Sequence, residues 1–267
     1  KIPVAHIEAG LRTNNKYSPF PEEINRKIIS SIASYHFPPT TRSEQNLLNE
    51  GISSEDMKVT GNTVIDALLS VNSNLDSDMT KYEEYFINKY ALDLNIKKNI
   101  LVTGHRRESF GKGFENICKA IQSISKDKSV QIIYPVHLNP NVQEPVRRIL
   151  GNSSNIYLIE PQDYVPFIFL MKKSNIILTD SGGVQEEAPS LGKPVLVMRE
   201  NTERPEGVEE GTTLLVGTNY DNILKTVNKL LNNQEVYEEI AKKVNPYGDG
   251  HASKYIFKAT KNYLDKK

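Results

Sequence analysis

The sequence predicts an α/β protein whose larger, C-terminal part is a Rossmann-like domain. From residue 100 onward, short apolar runs alternate with segments of helical spacing. This alternation is typical of a parallel sheet covered by helices on both faces. The chain has 267 residues, more than a single hydrophobic core usually organises, so we expect two domains.

The first part of the chain is expected to open on a buried strand and a polar loop, followed by a helix beginning at Pro21. Proline suits the first helical position, and Glu22 and Glu23 complement the helix dipole. Five apolar side chains between residues 24 and 33 recur at helical spacing. The predicted elements are a strand over 3–7, a helix from 21 to the break at 37–39, a helix over 43–49, a strand over 57–60, and helices over 62–69 and 82–90.

The second part follows a polar, charged segment at 72–99, where we place the domain junction. Its predicted strands are 100–103, 130–136, 156–159, 176–179, 194–198 and 213–216. Its predicted helices are 114–124, 146–150, 164–171, 184–191 and 222–243, with a last helix over 252–264. The expected domains are residues 1–90, residues 91–244, and a C-terminal helix in 245–267 that returns to the first domain.

The composition excludes several classes of protein. Lys and Arg number 33, as do Asp and Glu, so no overall field favours nucleic acid or an anionic membrane. No apolar run approaches the roughly 18 residues that span a bilayer, and residues 1–8 have neither the long apolar stretch nor the cleavage site of a signal peptide. A single cysteine, Cys118, cannot form an internal disulfide, which fits a reducing compartment. We therefore expect a cytoplasmic protein.

The segment Asp180-Ser181-Gly182-Gly183 follows a predicted strand and opens a predicted helix. The glycines allow a phosphate to approach the backbone, where the N–H groups of a helix start bind it. Glu187 lies about one turn further on, where a carboxylate accepts hydrogen bonds from ribose hydroxyl groups. The alternative is a serine-capped helix whose glycines serve close packing alone. The pattern is not Gly-x-Gly-x-x-Gly, so NAD is not indicated.

Two further motifs carry candidate catalytic groups. His105 directly follows a strand, where ligands bind in open α/β sheets, and a protonated histidine beside Arg106 and Arg107 suits a diphosphate. Glu8 ends a strand and Glu22 begins a helix, so two carboxylates are available as acid and base. The alternatives are a surface salt-bridge cluster around His105 and solvated or helix-capping acids.

Weaker signals come from the segments 161–167 and 203–207. Gln162 and Phe167 supply an amide and an aromatic ring that suit a nucleobase, and Arg204 suits a phosphate or a ribose. Each is individually more typical of a loop or a surface arginine.

Taken together, these motifs resemble the non-hydrolysing UDP-N-acetylglucosamine (UDP-GlcNAc) 2-epimerases. The resemblance keeps motif order and covers nearly the whole chain. The matching segments are His-Ile-Glu-Ala-Gly-Leu-Arg-Thr (6–13), Tyr-Ser-Pro-Phe-Pro-Glu-Glu-Ile-Asn-Arg (17–26), Val-Thr-Gly-Asn-Thr-Val-Ile-Asp (59–66), Gly-His-Arg-Arg-Glu-Ser (104–109), Tyr-Pro-Val-His-Leu-Asn-Pro (134–140), Asp-Ser-Gly-Gly-Val-Gln-Glu-Glu-Ala-Pro-Ser-Leu-Gly-Lys-Pro (180–194) and Arg-Glu-Asn-Thr-Glu-Arg-Pro-Glu (199–206).

The resemblance implies two Rossmann-like domains of glycosyltransferase-B type with a UDP-sugar in the cleft. It implies reversible conversion of UDP-GlcNAc to UDP-N-acetylmannosamine (UDP-ManNAc), without NAD or metal, for bacterial surface polysaccharide. Family members are commonly cytoplasmic homodimers. The family usually starts with a phosphate loop, Gly-Thr-Arg-Pro-Glu, and a catalytic Asp precedes the His-Ile-Glu strand. Neither occurs here, so we expect roughly a hundred residues, or about three βα units, to be missing from the first domain.

The resemblance also implies roles for individual residues. Glu8 and Glu22 would transfer protons, while His105, the loop 181–183 and Arg204 would stabilise the departing diphosphate. Gln162 and Phe167 would hold the uracil and Glu187 the ribose. His137 and Arg107 resemble part of a second UDP-GlcNAc site, at which many bacterial members bind an activator.

Three alternatives share much of this pattern. A UDP-sugar glycosyltransferase would have the same fold and Ser-Gly-Gly loop without needing Glu8 and Glu22. A hydrolysing epimerase would release free N-acetylmannosamine. A nucleotide-sugar-binding fragment would bind the ligand without turnover.

Overall fold

The computed structural model of the protein describes residues 2–17 and 20–265. The chain divides into two compact units, one of residues 1–69 and 245–267 and the other of residues 70–244. Both units contain parallel β-sheet, which confirms the predicted α/β class. The domain boundaries at residues 90 and 244 stay predictions, which limited proteolysis would test.

The described part of the first unit contains a two-stranded parallel sheet, four α-helical segments and a 3-10 turn at Ser54–Asp56. Strand β1 (Ala5–Ile7) pairs with β2 (Tyr35–Phe37), with Ala5 opposite Tyr35. The helical segments are α1 (Glu22–Ile32), α2 (Thr41–Asn49), the first residues of α3 (Thr63–Tyr90) and α11 (Ala252–Asp265). Thr40 caps α2, because its hydroxyl group accepts a hydrogen bond from the Ser43 N–H over 3.1 Å. One small cluster of buried side chains here contains Ala9, Leu47 and Met57, with Leu48 and Ile52 packed against it.

The apolar stripe of α1 correctly predicted a helix, but most of it is not buried within the described chain. Ile28, Ile29 and Ile32 are 53%, 41% and 64% exposed. Glu23 and Ser30 are instead the buried residues of this helix. Helical spacing therefore identified the element without identifying the face that packs.

The second unit is built on a six-stranded parallel sheet with the order β5-β4-β3-β6-β7-β8. From β3 to β5 the chain adds strands in one direction, and from β6 to β8 it adds them in the other. Ligands bind outside the carboxyl ends of the strands at such a reversal, here between β3 and β6. The Rossmann-like prediction is confirmed. The strands are β3 (Lys98–Thr103), β4 (Val130–Pro135), β5 (Ile156–Ile159), β6 (Ile176–Thr179), β7 (Val195–Val197) and β8 (Thr213–Leu215).

The helices of this unit connect the strands and cover the sheet. Apolar side chains of the sheet pack against α4, α5 and α9 in one continuous core, in which Ile132 and Leu178 are fully buried. Apolar burial of this extent supplies the main stabilisation of an α/β domain. Besides the end of α3, the helices are α4 (Lys112–Ile124), α5 (Pro140–Leu150), α6 (Tyr164–Lys173), α7 (Gly182–Glu187), α8 (Pro205–Glu209), α9 (Tyr220–Asn232) and α10 (Gln234–Ala241).

Several sequence predictions in the first hundred residues were wrong. The strand predicted over 3–7 covers only Ala5–Ile7, and it is mostly exposed rather than buried. The predicted strand at 57–60 forms only an isolated bridge between Met57 and His36, because the neighbouring Pro38 and Pro39 have no N–H groups with which to extend a ladder. The polar segment 72–99 was expected to hold a short helix at 82–90, yet α3 runs unbroken from Thr63 to Tyr90. The side chains on the outer face of α3 are polar because that face is exposed to solvent.

Other boundaries also differ. The break at 37–39 is preceded by strand β2, which was not predicted, and α1 already ends at Ile32. The helix predicted over 222–243 is two helices, since the side chain of Asn233 accepts a hydrogen bond from the Val236 N–H over 3.1 Å and caps α10. The helix predicted over 184–191 is α7 followed by a 3-10 turn at Ala188–Leu191. Within the described residues, no helix is long and apolar enough to cross a membrane.

Candidate active site

The carboxyl ends of β3 and β6 bring two predicted motifs together. Their last residues, Thr103 and Thr179, lie opposite each other in the sheet, and their hydroxyl oxygens are 2.6 Å apart. His105 follows the first strand and Ser181 the second. Because these strands flank the point at which the strand order reverses, both motifs lie where an open α/β sheet binds its ligand.

Asp180 fixes the position of His105. Its Oδ2 accepts hydrogen bonds from the backbone N–H groups of His105 and Arg106 over 2.7 and 2.8 Å. Its Oδ1 lies 3.5 Å from Nδ1 of His105. Asp180 is fully buried, whereas the His105 side chain is 40% exposed. The carboxylate thus fixes the backbone at His105 by hydrogen bonds, and its second oxygen lies near the ring without a hydrogen bond to it.

The protonation of His105 depends on opposing effects. Burial lowers the pKa of His105 most strongly, the Asp180 carboxylate raises it, and His137 and Arg106 lower it further. The net direction is downward, so the neutral ring is favoured. An anion arriving beside the ring would favour the protonated form, which suits a group that responds to phosphate.

A cavity of about 220 Å³ opens beside these residues in the second unit. Five predicted site residues line it: His105, His137, Gln162, Phe167 and Ser181. The rings of His105 and His137 stack, with centroids 5.2 Å apart and planes 14° apart. The remaining lining residues are Thr103, Gly104, Pro135, Pro161 and Val184. An apolar wall with a few polar groups is typical of a small-molecule site.

A larger depression, of about 640 Å³, lies in the first unit and contains none of the predicted residues. It is lined by Tyr35, Glu55, Asp56, Lys58, Ala259, Asn262 and Tyr263. We place the site at the smaller cavity, because the strand reversal and the predicted motifs coincide there.

Gln162 is held by the end of α3. Its amide nitrogen donates to the Tyr90 hydroxyl group over 3.1 Å and to the Glu160 carbonyl over 2.7 Å. The Tyr85 hydroxyl group donates to its amide oxygen over 3.3 Å. Phe167 lies one turn into α6 and is half-buried. The amide and the ring therefore belong to one edge of the cavity.

Arg204 is buried against the predicted phosphate loop. Its Nε donates to Glu186 over 2.5 Å, and its Nη1 donates to Glu203 over 2.7 Å. A Cβ atom on Gly182 would lie only 2.6 Å from Nη1, so only glycine fits there unless Arg204 shifts. The guanidinium group thus packs directly against the loop at 181–183.

A second arginine completes this buried cluster. Arg199 donates from Nη1 to Glu203 over 2.6 Å and from Nε to Glu108 over the same distance. Burial alone would raise the pKa of Glu203, but Arg204 and Arg199 outweigh it and lower that pKa to about 2. The paired charges hold the loop and the segment after β7 in one arrangement.

Glu187, at the end of α7, is 6% exposed and accepts a hydrogen bond from the Tyr164 hydroxyl group over 2.7 Å. Burial raises the pKa of Glu187, and the bond from Tyr164 lowers it. Gly183, one turn earlier, is exposed. This part of α7 therefore offers an open backbone and a buried carboxylate.

The predicted acids of the first unit lie on β1 and α1. Glu8 directly follows β1 with φ of 63°, and its Oε1 accepts a hydrogen bond from Asn62 Nδ2 over 3.3 Å. Glu22 is the first residue of α1 and is exposed. The adjacent Glu23 is 1% exposed and accepts from the N–H groups of Thr13 and Asn14, each over 3.0 Å. Residues 18 and 19 of the 17–26 motif lie outside the described residues.

Some predicted residues do not reach the cavity, and some contacts were missed. Arg107 is exposed in a 3-10 turn and does not line the cavity.

Sequence reasoning missed the roles of Asp180, Tyr164 and Glu186. The position of Asp180 could have been singled out, since it directly follows β6 and precedes the glycine loop, although its contacts could not. Among the described residues, no group of three His, Cys, Asp or Glu side chains could hold a metal ion.

Comparison with known proteins identifies the family. The family model "UDP-N-acetylglucosamine 2-epimerase" matches residues 1–261. A UDP-N-acetylglucosamine 2-epimerase of Yersinia pestis is 57% identical over 265 residues, covering 98% of this chain and 70% of that protein. A UDP-N-acetylglucosamine 2-epimerase of Escherichia coli K12 is 55% identical over 263 residues, covering 98% of this chain and 70% of that protein.

Solved structures agree. UDP-GlcNAc 2-epimerase from Neisseria meningitidis, bound to UDP-GlcNAc, matches with a TM-score of 0.91 and 49% identity over 98% of this chain and 70% of that one. The Methanocaldococcus jannaschii enzyme, in complex with UDP-GlcNAc and UDP, matches with a TM-score of 0.80 and 36% identity over 98% and 69%. These matches confirm the predicted glycosyltransferase-B-like fold class. The chain belongs to the UDP-N-acetylglucosamine 2-epimerase family.

Proposed function

We propose that the protein is a non-hydrolysing UDP-GlcNAc 2-epimerase that interconverts UDP-GlcNAc and UDP-ManNAc. One observation carries the proposal: His105, Gln162, Phe167 and Ser181 line a single cavity at the strand reversal of the second unit. Family membership and the nucleotide-sugar complexes of two similar enzymes support it.

The nucleotide is proposed to bind within the second unit. Gln162 and Phe167 would hold the uracil, since an amide reads the edge of a base and an aromatic ring stacks on its face. Glu187 would accept hydrogen bonds from the ribose. The backbone at 181–183 and the guanidinium group of Arg204 would bind the diphosphate.

The proposed reaction is an elimination followed by re-addition of UDP. The bond between C1 and the diphosphate oxygen breaks, with its electron pair leaving on UDP. A base takes the hydrogen from C2, and the electrons of that C–H bond form a C1–C2 double bond. UDP then adds back to C1 as a proton reaches the opposite face of C2, which inverts that carbon.

His105 would stabilise the charge that develops on the departing diphosphate. The protonated ring is the form that does so, and Asp180 would support that form while keeping the ring in place. The arriving diphosphate would itself favour protonation of His105.

Glu8 and Glu22 are the proposed proton-transfer groups. The left-handed backbone of Glu8 supports this role, because residues held in sparsely populated conformations are concentrated at functional sites. The hydrogen bond from Asn62 would fix the direction of the Glu8 carboxylate.

Product analysis tests the proposal. The full-length protein is incubated with UDP-GlcNAc, alone and with a sugar acceptor, and the products are followed by NMR. The proposal expects a mixture of UDP-GlcNAc and UDP-ManNAc. Free N-acetylmannosamine would identify a hydrolysing epimerase, and sugar on the acceptor a glycosyltransferase. Binding without any turnover would identify a nucleotide-sugar-binding protein.

We further propose a cytoplasmic homodimer that supplies ManNAc units for bacterial surface polysaccharide, as the resemblance implies. His137 and Arg107 would take part in binding a second UDP-GlcNAc as an activator. The exposure of both side chains and the position of His137 at the cavity wall support this role.

A further inference from the structure

Tyr164 makes a contact that no sequence motif indicates. It is the first residue of α6, and its hydroxyl group donates a hydrogen bond to Oε1 of Glu187 over 2.7 Å. Tyr164 is 42% exposed, whereas Glu187 is 6% exposed. The phenol therefore reaches from the surface of the unit to a buried carboxylate.

This contact occupies one oxygen of the carboxylate and sets the direction of the other. Across residues 2–17 and 20–265, Tyr164 is the one hydrogen-bond donor to the Glu187 carboxylate. Oε2 of Glu187 faces the glycine loop and lies 3.9 Å from the position that a Cβ atom on Gly183 would occupy. A carboxylate has about four acceptor sites. Glu187 therefore retains acceptor capacity for two adjacent hydroxyl groups, as a ribose presents.

The phenol also opposes the effect of burial on the carboxylate. Burial raises the pKa of Glu187, and the hydrogen bond from Tyr164 lowers it. Tyr164 of α6 is the titratable group that faces this carboxylate, while the neighbouring Glu186 on α7 is paired with Arg204. Burial and Glu187 raise the pKa of Tyr164, so it remains a donor at neutral pH.

We propose that Tyr164 is a positioning residue that holds Glu187 for the ribose and so lets the site distinguish ribonucleotides from nucleotides without ribose hydroxyl groups. The inference rests on the proposed function, because it takes a uridine nucleotide as the ligand. It adds a specificity-determining contact that lies outside the family motifs quoted above.

The variant Tyr164→Phe removes the hydroxyl group and keeps the ring. Calorimetry would compare UDP with 2′,3′-dideoxyuridine 5′-diphosphate. We expect roughly tenfold weaker binding of UDP, from the loss of one hydrogen bond to a charged group, and unchanged binding of the dideoxy analogue. In a Glu187→Gln background the substitution should add no further loss. Tyr220→Phe is the matched control, since Tyr220 donates one hydrogen bond to Ser123 on another helix over 2.9 Å.

The pH profile separates positioning from a general structural role. Tyr164→Phe removes the hydrogen bond that lowers the pKa of Glu187, so this pKa rises. As the solution is acidified, UDP binding should therefore begin to weaken at a higher pH in the variant than in the unsubstituted protein. Equal losses for both ligands, or an unchanged profile, would overturn the role of Tyr164 and leave the proposed function standing. If the unsubstituted protein bound no UDP, the proposed function would fail and this inference with it.

Discussion

Glu186 and Glu187 are adjacent in sequence, but their carboxylates have different partners. Glu186 pairs with Arg204 beneath the glycine loop, whereas Glu187 accepts a hydrogen bond from Tyr164. Neighbours on a helix point in different directions, so one acid can anchor the loop while the next faces a ligand. The position of Glu187 after a glycine loop was visible in the sequence. The partner of Glu186 was not, because it lies 18 residues further along the chain.

The variant Glu187→Gln should bind UDP more weakly by about 1–3 kcal/mol, the usual loss for a hydrogen bond to a charged group. Its melting temperature should hardly change. The neighbouring variant Glu186→Gln is the comparison, because it removes one partner of a buried ion pair and should lower the melting temperature. Calorimetry and thermal unfolding measure the two effects. Unchanged UDP affinity in Glu187→Gln would rule out its ribose role.

The variant His137→Ala tests the proposed activator site. His137 stacks on His105 at the edge of the cavity but is itself exposed. If it binds a second UDP-GlcNAc, its loss should change the sigmoidal dependence of rate on UDP-GlcNAc more than the affinity for UDP. Initial rates over a wide concentration range measure this, with the exposed His251→Ala as control. A proportional loss of rate at every concentration would speak against the activator role.

Among the elements, the six strands of the second unit could be predicted because each is a short apolar run bounded by polar residues. Their order in the sheet could not, since it depends on which strands pair across the chain. The length of helix α3 was also underestimated. Leu68, Leu75, Tyr82 and Phe86 recur at helical spacing through its polar sequence, but exposed polar residues outnumber them. Strand β2 was missed because it lies between the apolar stripe of α1 and the two prolines at 38 and 39, so its residues were assigned to the end of the helix.

The glycine loop and α7 depend on the close approach of Arg204. In Gly182→Ala the new methyl group would meet a guanidinium group that two carboxylates hold in place. We expect a loss of about 1–3 kcal/mol in stability, as for other overpacked sites, together with weaker UDP binding. The comparison is Gly183→Ala, whose methyl group would have only an ordinary contact at 3.9 Å with Glu187.

Gly183→Ala should keep its melting temperature and lose UDP affinity, because the backbone at Gly183 must approach the phosphate. Thermal unfolding and calorimetry of both variants give the two quantities. Equal melting temperatures for the two variants would show that Arg204 shifts freely and does not hold the loop.

At the scale of the whole molecule, equal numbers of acidic and basic residues mean that an anionic ligand must be held locally. In the proposed function that local charge comes from Arg204 and from His105, which the arriving diphosphate would protonate. The sequence could predict Arg204, His105 and the glycine loop from motif order. It could not predict the contacts of Asp180 and Tyr164, because each joins segments separated by more than twenty residues.

The chain should lose stability in mild acid. Burial most strongly, then His36, Arg12 and Arg26, lower the pKa of His6 to about 4. The unfolded chain has the ordinary histidine pKa of about 6.5, so between these values it binds more protons than the folded chain. The free energy of unfolding therefore falls as pH drops from about 6.5 to 4, by roughly 1–3 kcal/mol from this residue.

Urea unfolding at several pH values measures this dependence. His6→Gln should reduce it, whereas His251→Gln, at an exposed position, should preserve it. An acid dependence that is the same in His6→Gln as in the unsubstituted protein would contradict the assignment.

The exchange of the C2 hydrogen tests the proposed reaction most directly. The full-length protein is incubated with UDP-GlcNAc in D₂O, and the recovered sugars are analysed by NMR and mass spectrometry. Elimination and re-addition require a proton from solvent at C2, so UDP-ManNAc should carry deuterium there, and so should UDP-GlcNAc re-formed by the reverse reaction. UDP-ManNAc that retains the original hydrogen at C2 would contradict the account, because that hydrogen would not have exchanged with solvent.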